Sequence, residues 1–173
     1  MAANNRDTPI LTPETLLDHW QGHRRLTRRM IEAFPEDKLF RFSVGSMRPF
    51  SELAMEFLKM AEPITRGVAT GEWVSKDLTT PRTKVELLAL WDQATTAINT
   101  IWPTIPPHRF REVHKAFGQW EGEGIATILY RSTMKSIIAV RLMFICEPSG
   151  SSRLRFMTGA DHWWLESRFR FNQ

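Results

Sequence analysis

Residues 132–158 read STMKSIIAVRLMFICEPSGSSRLRFMT, and this run holds a second message when its codons are read one base out of step. The third base of each codon then joins the first two of the next. Met134 followed by Lys135 must give GAA, a glutamate. Ser132–Thr133 permits Asp, Thr133–Met134 permits Asn, and Lys135 through Arg141 permit Ile-His-His-Arg-Gly-Gln. The hidden string is DNEIHHRGQ; it continues through Thr158–Gly159 as AYVYLRALGIEPPAFYDR, and Ala160–Asp161 then permits a TGA stop. Only wobble bases and the choice among Ser, Arg and Leu codons are free. We read the tail as the product of a single-nucleotide deletion near Tyr130–Ser132, with YRSTMKSIIAV replacing an ancestral YRIDNEIHHRGQ. The other reading is a genuine tail and an accidental match.

Upstream, the apolar pattern has the period of helices. Thr12-Pro13-Glu14 supplies an N-cap hydroxyl, a proline at the first helical position and an early acid. Leu16, Trp20, His23, Thr27, Met30 and Phe34 follow at three- and four-residue steps, predicting a helix from Pro13 to Phe34 that Pro35 stops. Residues 36–48 read as a loop with a brief extended piece at Phe40–Val44. Pro49 opens a second long helix whose buried stripe is Phe50, Leu53, Phe57, Met60 or Ala61, and Ile64. Pro63 is expected to kink it or end its first part, and Gly67 and Gly71 to finish it.

A polar linker, residues 72–82, leads to Thr83, which has Glu86 three residues on and so matches a capping box. The third long helix runs through Val85, Leu88, Trp91, Ala94 or Thr95, Ile98 and Ile101 to Trp102, where Pro103, Pro106 and Pro107 stop it. Residues 108–123 read as an irregular connection, and a fourth helical segment begins near Ile125 and runs through Leu129. Ile137 to Ile145 could form helix or strand. The expected organisation is a helical bundle domain over 1–147 and an irregular tail over 148–173. The fold class is all-α, a four-helix bundle with long crossover connections.

The net charge of +4 suggests nucleic acid until it is located. Residues 131–173 carry seven Lys/Arg and three Asp/Glu, the whole of the excess, and residues 1–130 balance 16 against 16. Arg24, Arg25, Arg28 and Arg29 cluster, but on a helix they read as a solvated face rather than a phosphate track. No apolar run approaches the roughly 18 residues of a membrane span, and the polar N-terminus does not resemble a secretory signal. The single Cys146 allows no internal disulfide, which favours a cytoplasmic location. The expected partners are a small molecule and a second copy of the chain, with neither nucleic acid nor membrane.

The hidden DNEIHHRGQ resembles the last helix of the DinB/YfiT-like family, whose signature there ends in HHRGQ. A second resemblance lies at residues 47–63, MRPFSELAMEFLKMAEP, which is similar to the family's second-helix run leading into a metal-binding histidine. Aligning Phe50-Ser51-Glu52-Leu53 with that run puts Glu56 at the ligand position. The likeness spans about Leu16 to Leu129 in helix order and loop length. It implies a four-helix bundle and a divalent-metal-dependent enzyme of the thiol-dependent transferase or hydrolase type.

It also implies three metal ligands, one from the second helix and a His-x-x-x-His pair from the last. Glu56 replaces the first histidine, and a carboxylate is a competent ligand for zinc, nickel, manganese or iron. The reconstructed frame has Asn at the first histidine of the pair. In the chain itself Thr133 and Ile137–Ile138 occupy the region, so the metal is expected to be weakly held or absent.

Other residues remain candidates. His19 and His23 stand at i and i+4, the spacing at which two imidazoles can share one ion, with Glu56 the nameable third donor. The plainer alternative is a pair of locally hydrogen-bonded structural histidines. His114 with Glu112 could form an acid/base pair, and Trp73, Trp102 and Trp120 could wall a pocket or cap the core. No Ser–His–Asp order, P-loop or Gly-x-Gly-x-x-Gly run is present. The alternative function is a non-enzymatic helical module that binds a small apolar ligand or dimerises.

Overall fold

A computed structural model describes residues 11–43, 48–130 and 132. Helix α1 spans Pro13–Ala33. Its N-cap Thr12 and Thr15 form a reciprocal capping box, the Thr15 amide donating to Thr12 Oγ1 at 3.2 Å and the Thr12 amide to Thr15 Oγ1 at 2.9 Å. Phe34 is extended at the C-cap, and α2 is the single turn Glu36–Leu39. Helix α3 spans Phe50–Thr70 and ends at Gly71, whose φ of 84° is left-handed. Helix α4 spans Lys84–Ile101 with the expected Thr83–Glu86 capping box.

Two 3₁₀ turns, Trp102–Thr104 and Pro107–Phe110, lead to strands β1, Val113–Ala116, and β2, Trp120–Glu123. A further helical segment, α5, covers 124–130.

Two apolar clusters fix the directions of the helices. One gathers Ile31 and Phe34 from α1, Phe50, Leu53, Ala54 and Leu58 from α3, and Leu87 and Trp91 from α4. The other gathers Leu16 and Trp20, Ala61, Ile64 and Val68, and Ile98, with Ile128 of α5. Helices α3 and α4 therefore run parallel, and α1 runs against both. A parallel pair needs a connection that returns the length of the bundle. Helix α3 has 21 residues, so that length is roughly 30 Å at about 1.5 Å per residue, within reach of extended residues 72–83 at about 3.3 Å each. Trp73 packs at the far cluster and Leu78 at the near one, which traces the return. The connection is a crossover, as the long Pro-marked linker implied.

Residues 36–39, read as loop, form the helical turn α2, and other expectations differ from the structure as well. Residues 108–123 are not irregular: β1 and β2 pair antiparallel in the register Val113↔Glu123, His114↔Gly122, Lys115↔Glu121 and Ala116↔Trp120. Strands this short carry no legible alternation. The turn uses left-handed backbone at Phe117 (φ 52°) and Gly118 (φ 68°).

On α3 the buried position is Leu58, at 1 % exposure, with Phe57 only half-buried. Of the two effects expected of Pro63, it does not end α3, which runs on to Thr70 and finishes at Gly71 as expected. Residues 40–43 form a turn and coil rather than an extended piece, and Val44 lies outside the described residues. The re-read tail, the Ile137–Ile145 segment and the 147/148 boundary also lie outside them.

Candidate functional site

A face of α3 that runs from the edge of the core outward lines a cleft of about 380 Å³. Glu56, Phe57, Met60 and Ile64 recur at helical spacing, so one side of α3 brings all four to it. Trp20 of α1 and Ala61 contribute the inner surface, and both are buried. Trp120, 49 % exposed, closes the outer side. The walls are thus mainly apolar and aromatic, with Glu56 and Lys59 as the charged groups.

Trp120 reaches the cleft because the hairpin is anchored. Arg109 donates from Nε to the Val68 carbonyl at 3.0 Å and from Nη1 to Glu112 Oε2 at 2.9 Å, satisfying backbone at the end of α3. Trp73 lies against Gly67, where a Cβ would stand 2.3 Å from its ring. Ring contacts continue from Trp73 to Phe117 at 5.5 Å and from Phe117 to Trp120 at 6.1 Å. The three tryptophans expected to wall a pocket or cap the core divide here. Trp73 and Trp120 belong to this ladder, whereas Trp102 is core, 5 % exposed and 6.0 Å from Trp20.

Glu56 pairs with Arg48. His19 and His23 meet each other, Nε2 to Nε2 at 3.2 Å. Among the described residues no three His, Cys, Asp or Glu side chains gather closely enough to hold a metal, so Glu56, His19 and His23 do not combine. The donors described here do not fit the three-ligand centre that the resemblance implies. His114 and Glu112 do not pair either. The His114 Nε2 is 3.1 Å from the Arg109 carbonyl, and Glu112 is taken by Arg109, with His108 at 3.9 Å.

One residue was placed on the wrong face. Arg24, assigned to solvent, is 1 % exposed. It donates from Nε to Thr95 Oγ1 at 3.0 Å and from Nη2 to the Trp91 carbonyl at 2.8 Å, while Gln21 Nε2 donates to Asn99 Oδ1 at 2.8 Å. Burial pushes Arg24 down to about 10, offset in part by Asp92. The signal was present: Arg24 continues the Leu16–Trp20 stripe at the next four-residue step. Arg48 and Lys59 had no comparable signal, since an exposed cation on a helix or loop has many uses.

No protein-family model matches the chain, and no curated protein matches its sequence. Its fold does match solved structures. A point mutant of the mycothiol-dependent maleylpyruvate isomerase superposes with a TM-score of 0.61 at 14% identity, over 75% of this chain and 60% of that one. The mycothiol-dependent maleylpyruvate isomerase itself gives a TM-score of 0.57 at 15% identity over the same shares. The chain spans 60% of the length of those enzymes. The likeness is one of architecture: this chain has the mostly helical, all-α fold of those structures.

Proposed function

We propose that this chain is a small-molecule-binding protein of the DinB-like, thiol-dependent enzyme type that keeps a substrate cleft but has an incomplete metal centre. The observation that carries this reading is the position of Glu56. The residue that the resemblance assigns to the first metal ligand lies on the wall of the cleft of about 380 Å³, between apolar walls and an exposed tryptophan. The fold neighbours act through a thiol cofactor by name, which supports thiol-dependent transfer or hydrolysis as the reaction class of intact relatives. A bound metal in such relatives lowers the pKa of a thiol or water and so makes a nucleophile.

In this chain Arg48 holds the Glu56 carboxylate instead. Phe57, Met60 and Trp120 are placed to contact an apolar ligand body. Glu56 and Lys59 offer it an acceptor and a donor. The Arg48–Glu56 pair favours binding without metal chemistry as the activity of the chain as it stands. The frame change upstream of Ser132 is the proposed cause.

The test is elemental analysis after gel filtration, on this chain and on one restored to IDNEIHHRGQ from residue 132. Retained, stoichiometric metal in the restored chain alone is the expected result. Metal in neither chain would remove the metalloenzyme ancestry from the reading. Tightly retained metal in both would mean that the centre does not depend on the last helix.

A further inference from the structure

The imidazoles of His19 and His23 meet outside the cleft's described lining, one ring nitrogen hydrogen-bonded to the other, at a separation that two ligands of one ion also adopt. The Nε2 atoms are 3.2 Å apart, the ring centroids 4.5 Å apart, and the ring planes lie at 86°. Two nitrogens at about 2.0–2.1 Å from one ion stand about 2.9 Å apart in a right-angle arrangement and about 3.4 Å apart in a tetrahedral one. The observed separation falls between these values. The helical turn already fixes both Cα positions, so closing a chelate requires rotation of side chains and no change of backbone.

The placement favours access. Gln21 and Arg24 hydrogen-bond to α4 through Asn99, Thr95 and Trp91. At about 100° per residue, His19 and His23 fall on the flank of α1 across Trp20 from those contacts. His19 is exposed and His23 half-buried.

We propose that His19 and His23 form a bidentate clip for one late first-row divalent ion, of the nickel(II), copper(II) or zinc(II) type, with water on the remaining positions. Imidazole suits these ions and not magnesium or calcium. The site is separate from the cleft and does not rest on the function proposed for it. Two ligands give exchangeable binding rather than the retained metal of a three-ligand centre.

Calorimetric titration of the full chain with nickel(II) chloride tests the proposal. One ion per chain is expected, with His19→Ala and His23→Ala each weakening binding by about tenfold or more, because either change leaves a single imidazole. The double variant should bind no more tightly than the singles, and His108→Ala and His162→Ala should bind as the parent does. Nickel should also raise the melting temperature of the parent and of neither single variant, since bridging one turn stabilises α1. Circular dichroism confirms that the variants fold. Either single variant binding as tightly as the parent, or a stoichiometry of two ions lost one at a time, would overturn the clip.

Discussion

The Arg24 guanidinium lies 4.5 Å over the ring of Trp91, and the Trp91 indole Nε1–H donates back to the Arg24 carbonyl at 3.1 Å. Two residues on antiparallel helices thus bind each other in both directions at the centre of the α1–α4 contact.

Removing the Arg24 charge should depend on what fills its place. Arg24→Ala empties a buried volume and should lose about 3 kcal/mol. Arg24→Met keeps the length, and Thr95 Oγ1 still donates to the Trp91 carbonyl at 2.9 Å, so no acceptor is stranded. With the desolvation of a cation removed, the Met variant should lie within about 1 kcal/mol of the parent or above it. Urea unfolding of both variants decides this. Equal losses would mean that the cation–ring contact is net stabilising.

Leu58→Ala and Phe57→Ala should separate stability from binding. Leu58 is core and its truncation should cost about 2–5 kcal/mol. Phe57 lines the cleft and is half-buried, so its loss should cost clearly less than that of Leu58. Quenching of tryptophan emission by an apolar dye should weaken in Phe57→Ala and in Trp120→Phe. Undiminished binding in both would place the dye elsewhere.

Gly67→Ala adds a carbon where the Trp73 ring already sits. The ring must move, which should cost about 1–3 kcal/mol despite the better helix propensity of alanine. Because Trp73 leads through Phe117 to Trp120, the near-ultraviolet circular dichroism of the variant should change as well. An unchanged aromatic spectrum with unchanged stability would contradict this packing.

Acid should weaken the chain partly through Glu62. Lys76, and then Arg66, hydrogen-bond its carboxylate and hold it below the usual 4.5, against the opposing effect of burial. A depressed folded value means that the contribution is present above 4.5 and lost as pH falls through the folded value. Glu62→Gln should flatten the acid limb of melting temperature against pH and leave the neutral region less stable. An unaltered acid slope would assign the effect to other carboxylates.

The parts of the fold legible in the sequence are those that local chemistry specifies strongly. Thr12, Thr83 with Glu86, Pro35 and Gly71 mark helix ends through caps and missing donors, and the structure places them there. The choice between Phe57 and Leu58 was not legible. Both fit an amphipathic stripe, and only the partner on the far side of α3 decides which one the core takes. The hairpin escaped for a similar reason, since its position depends on Arg109 reaching carbonyls of α3 that are distant in sequence. Of the residues that line the cleft, Glu56 stood out in the sequence through its local motif. Its commitment to Arg48 was invisible because the cation comes from outside the helix.

Pro63 stands inside α3 and has no amide hydrogen. The carbonyl four residues earlier belongs to Lys59, on the cleft, so the helix ladder lacks the donor that would meet it there. A cleft-lining residue therefore carries a main-chain acceptor without its usual helical donor. Substitution of the Lys59 side chain cannot erase it, and Pro63→Ala would return the missing donor. The hydrogen bonding of the α3 backbone beside the cleft is thus set by an imino acid one turn away, whatever side chains line the walls.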